Sequence, residues 1–147
     1  MPLLELNHYF VRARDLERSR RFYCEVLGFE PMPRPSLPFP GHWLGVNGQV
    51  QVHMGPDDIE QRERLYPGTH ADSARDNAGV VDHIAFVASD PHDIARRIRA
   101  AGLPLRQRHL AEISLFQLFV TDPDGLTIEL NFPGTAQAPA LATPDDA

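Results

Sequence analysis

Four side chains in this chain have the chemistry and spacing of a metal site. His8 lies in the apolar run Leu6-Asn7-His8-Tyr9-Phe10-Val11, and His83 in Val81-Asp82-His83-Ile84-Ala85-Phe86-Val87, 75 positions further on. His53 alternates with apolar residues in Val50-Gln51-Val52-His53-Met54, and Glu129 does so in Leu126-Thr127-Ile128-Glu129-Leu130-Asn131. Aligning those two segments pairs His53 with Glu129 at an offset of 76. A carboxylate between Ile128 and Leu130 is costly unless it is paired or ligated. Neutral imidazoles are good ligands for divalent transition metals. Two histidines plus a carboxylate with open positions suit non-haem Fe(II), and also Mn, Ni or Zn.

The offsets of 75 and 76, equal to within one residue, point to a repeated scaffold. After His8 come Asp15 and a helical pattern ending at Gly28, and after His83 come Asp90 and a helical pattern ending at Gly102. Asp15 and Asp90 are expected to cap the first turns, and Pro91 fits the first helical position. Gly28 and Gly102 fit a left-handed C-terminal cap. Leu16, Phe22, Tyr23, Val26 and Leu27 give the first helix its apolar side; Ile94, Ile98 and Ala101 do so for the second. Strands follow at 29–32, 42–46 and 49–54, and again at 105–109, 114–121 and 126–132. Asn47-Gly48 predicts a two-residue hairpin, and Asp122-Pro123-Asp124-Gly125 a turn. Each half therefore reads strand, helix, strand, strand, strand. The expected organisation is a first module over 1–56, a linker over 57–79, a second module over 80–133 and a flexible tail over 134–147. Five prolines between Pro31 and Pro40 predict an extended loop.

Composition narrows the chemistry. With one cysteine, Cys24, there is no intrachain disulfide and no cysteine-based zinc site, and Cys24 reads as a small core residue. All 14 basic residues are arginine, so lysine Schiff-base chemistry and a Walker-type phosphate loop are excluded. A formal charge of -6 without a basic patch argues against nucleic acid as a partner. No run is long and apolar enough to cross a bilayer, and the N-terminus lacks a signal-peptide pattern, so the expected location is the cytoplasm. His42, His70 and His92 are expected at the surface.

The stretches Leu6-Asn7-His8, Asp15-Leu16 with Phe22-Tyr23 and Val26-Leu27-Gly28-Phe29, Val81 to Phe86, and Asp122 to Leu130 resemble the vicinal oxygen chelate superfamily. That superfamily includes glyoxalase I, methylmalonyl-CoA epimerase, fosfomycin-resistance transferases, extradiol dioxygenases and bleomycin-resistance proteins. The resemblance implies an α+β fold of paired βαβββ modules, whose curved mixed sheets form a cup around a metal. It implies His8, His83 and Glu129 as ligands, chelation of adjacent substrate oxygens, and a homodimer. His53 is the best match at the discriminating fourth position, as a fourth ligand or an acid/base, with Gln51 two residues earlier as a rival. A histidine there favours a dioxygenase-like enzyme using Fe(II) on a catechol-like substrate, with His53 and Glu129 catalytic. A glyoxalase- or epimerase-like lyase or isomerase is the alternative, and a small-molecule-binding resistance protein a further one. Gln51, His109 and Phe119 are candidate substrate contacts. Trp43, Phe86 and Phe116 are candidate walls for an aromatic ring. The tyrosine of extradiol enzymes is missing, with Phe116, Gln117 and Phe119 in its strand.

Overall fold

The computed structural model describes residues 5–61 and 83–141. The chain divides into two compact units, Met1–Arg75 and Asp76–Ala147, each with one four-stranded mixed sheet. The fold is the paired βαβββ arrangement. Val81, Asp82, His70 and most of the expected linker lie outside the described residues, as does the tail beyond 141.

In the first unit, β1 (Tyr9–Ala13) pairs in parallel with β4 (Gln49–Pro56), followed by β3 (His42–Val46) and β2 (Glu30–Met32) in antiparallel order. The sequence places the first strand from Leu6, but pairing begins only at Tyr9 opposite Val52, so His8 stands just ahead of β1. The helix α1 (Leu16–Arg21) is capped by Asp15, whose carboxylate accepts from the Arg18 backbone N–H at 3.0 Å. It runs into a π-helical turn, Phe22–Val26, that buries Phe22, Tyr23 and Val26. Gly28, at φ 86°, then ends the helical path. Cys24 sits in the π turn, half-buried rather than in the core. Asn47 and Gly48 both have positive φ, 52° and 76°, as a tight hairpin twisted like its strands requires.

Alternation sorts this sheet's residues. Val11, Leu44, Val52 and Met54 are buried on one face, with Tyr23 and Phe29 in the same core. His42 pairs with Met54 and so belongs to this face; it is half-buried, not a surface residue. Burial pushes its imidazole below the usual histidine range. The opposite face carries Phe10, His53 and Trp43 in one row. Gln51 is the residue skipped where the β3–β4 register shifts between Leu44 and Gly45.

The Pro-rich segment closes down on β4. A Cβ on Gly41 would lie 2.2 Å from the Met54 carbonyl oxygen and 3.0 Å from an Arg34 guanidinium nitrogen. Only a residue without a side chain permits this approach. Gly41→Ala is therefore expected to cost about 1–3 kcal/mol through forced main-chain displacement. The measurement is the urea midpoint, and an unchanged midpoint would show that the loop gives way freely.

The second unit repeats the plan. β5 (His83–Val87) pairs in parallel with β8 (Thr127–Pro133), then come β7 (Leu115–Thr121) and β6 (Arg106–Leu110). The helix α2 (Pro91–Ala100) begins at Asp90, whose carboxylate accepts from the Asp93 N–H at 3.1 Å. Asp93 in turn accepts from Arg96 and Arg97 on the same helix. Ala95 and Ile98 are buried and Ile94 partly so. Ala101, expected on the apolar side, is exposed because the helix has already ended there. Asp122 tightens the 122–125 turn by accepting from the N–H groups of Asp124 and Leu126 at 2.9 and 2.8 Å. Beyond β8, the Thr135 N–H donates to the Ser114 carbonyl at 2.7 Å, so the first residues after the strand are fastened.

On one face of this sheet, Phe116, Leu118, Val120, Ile128, Leu130 and Phe132 form the core. Phe86 pairs with Leu130 and so shares that face. The other face presents His83, Ala85 and Val87 from β5, Thr127, Glu129 and Asn131 from β8, and Gln117 and Phe119 from β7. Among the described residues no helix is long and apolar enough to cross a membrane.

Candidate metal centre

In the second unit, β5 and β8 bring His83 and Glu129 onto the open face of the sheet. His83 Nε2 lies 3.0 Å from Glu129 Oε2. The register sets Ala85 directly beside Glu129 on one side and Phe119 on the other. The small side chain of Ala85 leaves space against the carboxylate, and the phenyl ring of Phe119 supplies a wall.

Glu129 is buried to 8% exposure, and its partners account for this. Its Oε1 accepts from the side-chain amide of Gln117, and its Oε2 faces His83. The Gln117 amide also donates to Asn131 Oδ1 at 2.9 Å. The Gln117 carbonyl oxygen accepts from Arg108 Nε at 2.7 Å, and the Arg108 guanidinium lies over the Phe119 ring, 5.6 Å from its centre.

In the first unit, His8 and His53 come together with Trp43. The His8 and His53 rings stack at 3.7 Å, and His53 stacks on Trp43 at 4.2 Å, nearly parallel. His53 is thus stacked between two rings and half-buried. Burial, and secondarily the His8 and Arg34 charges, lowers its pKa to about 4. It is a neutral imidazole at neutral pH, the form that ligates metals. His8 Nδ1 lies 2.6 Å from Asn7 Oδ1. An amide oxygen only accepts, so Nδ1 carries the proton and the Nε2 lone pair is left for a ligand.

The donor set fits a divalent ion. His83 Nε2 and Glu129 Oε2 stand 3.0 Å apart, within hydrogen-bonding distance of each other; two donors at about 2.1 Å from one ion would stand about 3 Å apart at a right angle and about 3.4 Å apart in a tetrahedron. Imidazole nitrogen and carboxylate oxygen together match the Fe, Mn, Ni and Zn group. Each unit offers a pair of such groups. Among the described residues, no three His, Cys, Asp or Glu side chains come together as a group that could hold a metal ion.

The other sequence candidates separate by strand parity. Phe119 shares the face of Glu129. Phe86 and Phe116 do not, because each is an odd number of positions from the residues of the open face: Phe116 is buried in the core and Phe86 is half-buried on the same side of the sheet. Trp43 does line the open face of its own sheet, through its stack on His53. His109 pairs with Phe116, on the far face from Glu129, and its Nε2 lies 2.9 Å from the Thr135 carbonyl oxygen. Gln51 lies in the bulge two residues before His53. The sequence reading missed the Arg108–Gln117–Asn131 network around Glu129. Its signal was present: a glutamine between Phe116 and Leu118 interrupts an apolar strand at a position of the same parity as Phe119.

Residues 5–130 match the Glyoxalase/Bleomycin resistance protein/Dioxygenase superfamily, and the chain belongs to that family. It is 32% identical over 137 residues to "Glyoxylase I 4" of Arabidopsis thaliana, covering 88% of this chain and 71% of that protein. It is 27% identical over 143 residues to a lactoylglutathione lyase of Pseudomonas putida, covering 84% of this chain and 82% of that one. Among solved structures, the lactoylglutathione lyase of Agrobacterium tumefaciens superposes with a TM-score of 0.64 at 18% identity, over 89% of this chain and 95% of that one. That last likeness concerns the fold alone.

Proposed function

We propose that this chain is a divalent-metal-dependent lyase or isomerase of the glyoxalase type, with His8, His83 and Glu129 as metal ligands. The observation that carries the reading is the His83–Glu129 pair, whose ligating atoms sit side by side on an open sheet face. The names of the relatives favour a lyase over the dioxygenase that His53 suggested. The state of His53 points the same way: a ring stacked on both faces with a pKa near 4 is a weak base at neutral pH. His53 then serves as a neutral fourth ligand or as a wall of the site. Chemistry without electron transfer needs no redox-active ion, so Ni or Zn becomes the preferred metal over Fe(II).

The ion, when bound, would polarise two adjacent substrate oxygens as a Lewis acid. The chain's own groups do the rest. When Glu129 Oε2 is not bound to the ion, it would be the carboxylate oxygen placed to take a proton from the carbon next to a carbonyl and return it to the neighbouring carbon. Gln117 keeps Oε1 out of that exchange. Phe119 and the small Ala85 shape the space on either side of the carboxylate. Assembly as a homodimer belongs to the same proposal.

The test loads metal-stripped protein separately with Ni, Zn, Mn or Fe(II). It measures lactoylglutathione formation from methylglyoxal and glutathione without oxygen, and oxygen uptake with catechols. Oxygen-independent turnover with Ni or Zn is the expected result. Oxygen uptake with Fe(II) and no anaerobic turnover would replace the lyase by a dioxygenase. Failure to take up any of the metals would sink both readings and leave the small-molecule-binding protein.

A further inference from the structure

The network around Glu129 has a fixed polarity, and that polarity follows from the chemistry of one exposed residue. A guanidinium has only donors. Arg108 Nε therefore requires the Gln117 carbonyl oxygen to face it, at 2.7 Å. The Gln117 NH2 group is then turned the other way, and it has two hydrogens to place. One goes to Glu129 Oε1 and the other to Asn131 Oδ1, at 2.9 Å for the latter. Gln117 is 3% exposed, so water has little access to compete for these bonds. Every hydrogen-bonding group of the glutamine head except one carbonyl lone pair is used, and the amide cannot flip without setting its oxygen against a carboxylate.

We propose that Gln117 is the positioning residue of the site: it pins Glu129 Oε1, so that Oε2 alone is presented beside His83, and Arg108 locks the amide in the orientation that does this. The inference rests on the reading of Glu129 as a metal ligand and deepens it. A metal held here would be offered one oxygen of the carboxylate. Without the amide, Glu129 would rotate, share both oxygens or leave His83. Arg108 acts at a distance of two strands from Glu129 and touches the metal ligand only through the glutamine.

The test uses the full chain with Co(II) as the metal probe, because its visible absorption reports coordination geometry. Gln117→Met keeps the volume and removes the bonds. It is expected to weaken Co(II) binding about 10- to 100-fold, the range for partners that orient ligands, and to change the visible spectrum. Arg108→Met leaves the core untouched and tests the polarity by itself. It is expected to weaken Co(II) binding several-fold, and Arg108→Lys, which keeps a donor-only group, to restore it. Wild-type affinity and spectrum in a folded Gln117→Met would overturn the proposal, as would equal behaviour of the two Arg108 variants.

A second readout needs no metal. In the metal-free protein, the Gln117 side-chain amide protons are expected downfield and protected from exchange by NMR, and Glu129→Ala is expected to abolish both features. Ordinary, unprotected amide resonances in the wild type would overturn the bridge. A protected amide in a wild type that takes up no cobalt would support the bridge and sink the metal reading instead.

Discussion

Glu129→Ala is expected to lose bound metal, with affinity falling by more than about 100-fold, since even residues that only orient ligands are worth 10- to 100-fold. The substitution acts twice. It removes the carboxylate beside His83, and it strips an acceptor from the Gln117 amide, which is 3% exposed. A buried donor left without a partner costs about 1–3 kcal/mol, so the metal-free variant is expected to be less stable than the wild type by that order. The two effects separate in a thermal melt. Added Ni or Zn is expected to raise the wild-type Tm by mass action and to leave the variant's Tm where it was. A variant that gains as much stability from metal as the wild type would remove Glu129 from the ligand set.

Phe116→Ala is expected to be the most destabilising single change in the second unit. Phe116 is fully buried, packs on Phe132 at 5.9 Å between ring centres, and lies on the core face of β7. Truncating a buried phenylalanine costs about 3–5 kcal/mol, a large share of the roughly 5–15 kcal/mol that holds a domain folded. The urea midpoint measures it. The neighbouring residue gives the change a functional consequence: Gln117 is held at its place by the same strand, so loosening β7 is expected to weaken metal binding alongside stability. A midpoint unchanged from wild type would mean that Phe116 is not part of a tightly packed core.

Much of this architecture was written in local pattern. The Asp15 and Asp90 caps, the Asn47-Gly48 hairpin and the 122–125 turn depend on residues a few positions apart, and each formed where its sequence placed it. Strand alternation likewise placed Glu129 and Phe119 on one face, because that parity is a property of the extended chain. The repeat carried the pairing of His8 with His83 and of His53 with Glu129 as equivalent positions. Other features depended on which strands meet and in what register. The β1 pairing starts at Tyr9, which leaves His8 outside the strand, and a register shift isolates Gln51. The stack of His53 between His8 and Trp43 brings together three rings from separate segments, and the burial it creates moves the His53 pKa. The Arg108–Gln117–Glu129 bridge crosses three strands. Local sequence determined which face each residue occupies; the tertiary register decided which side chains meet there, because hydrogen bonds and ring stacks require atoms within a few ångströms that spacing along the chain does not specify.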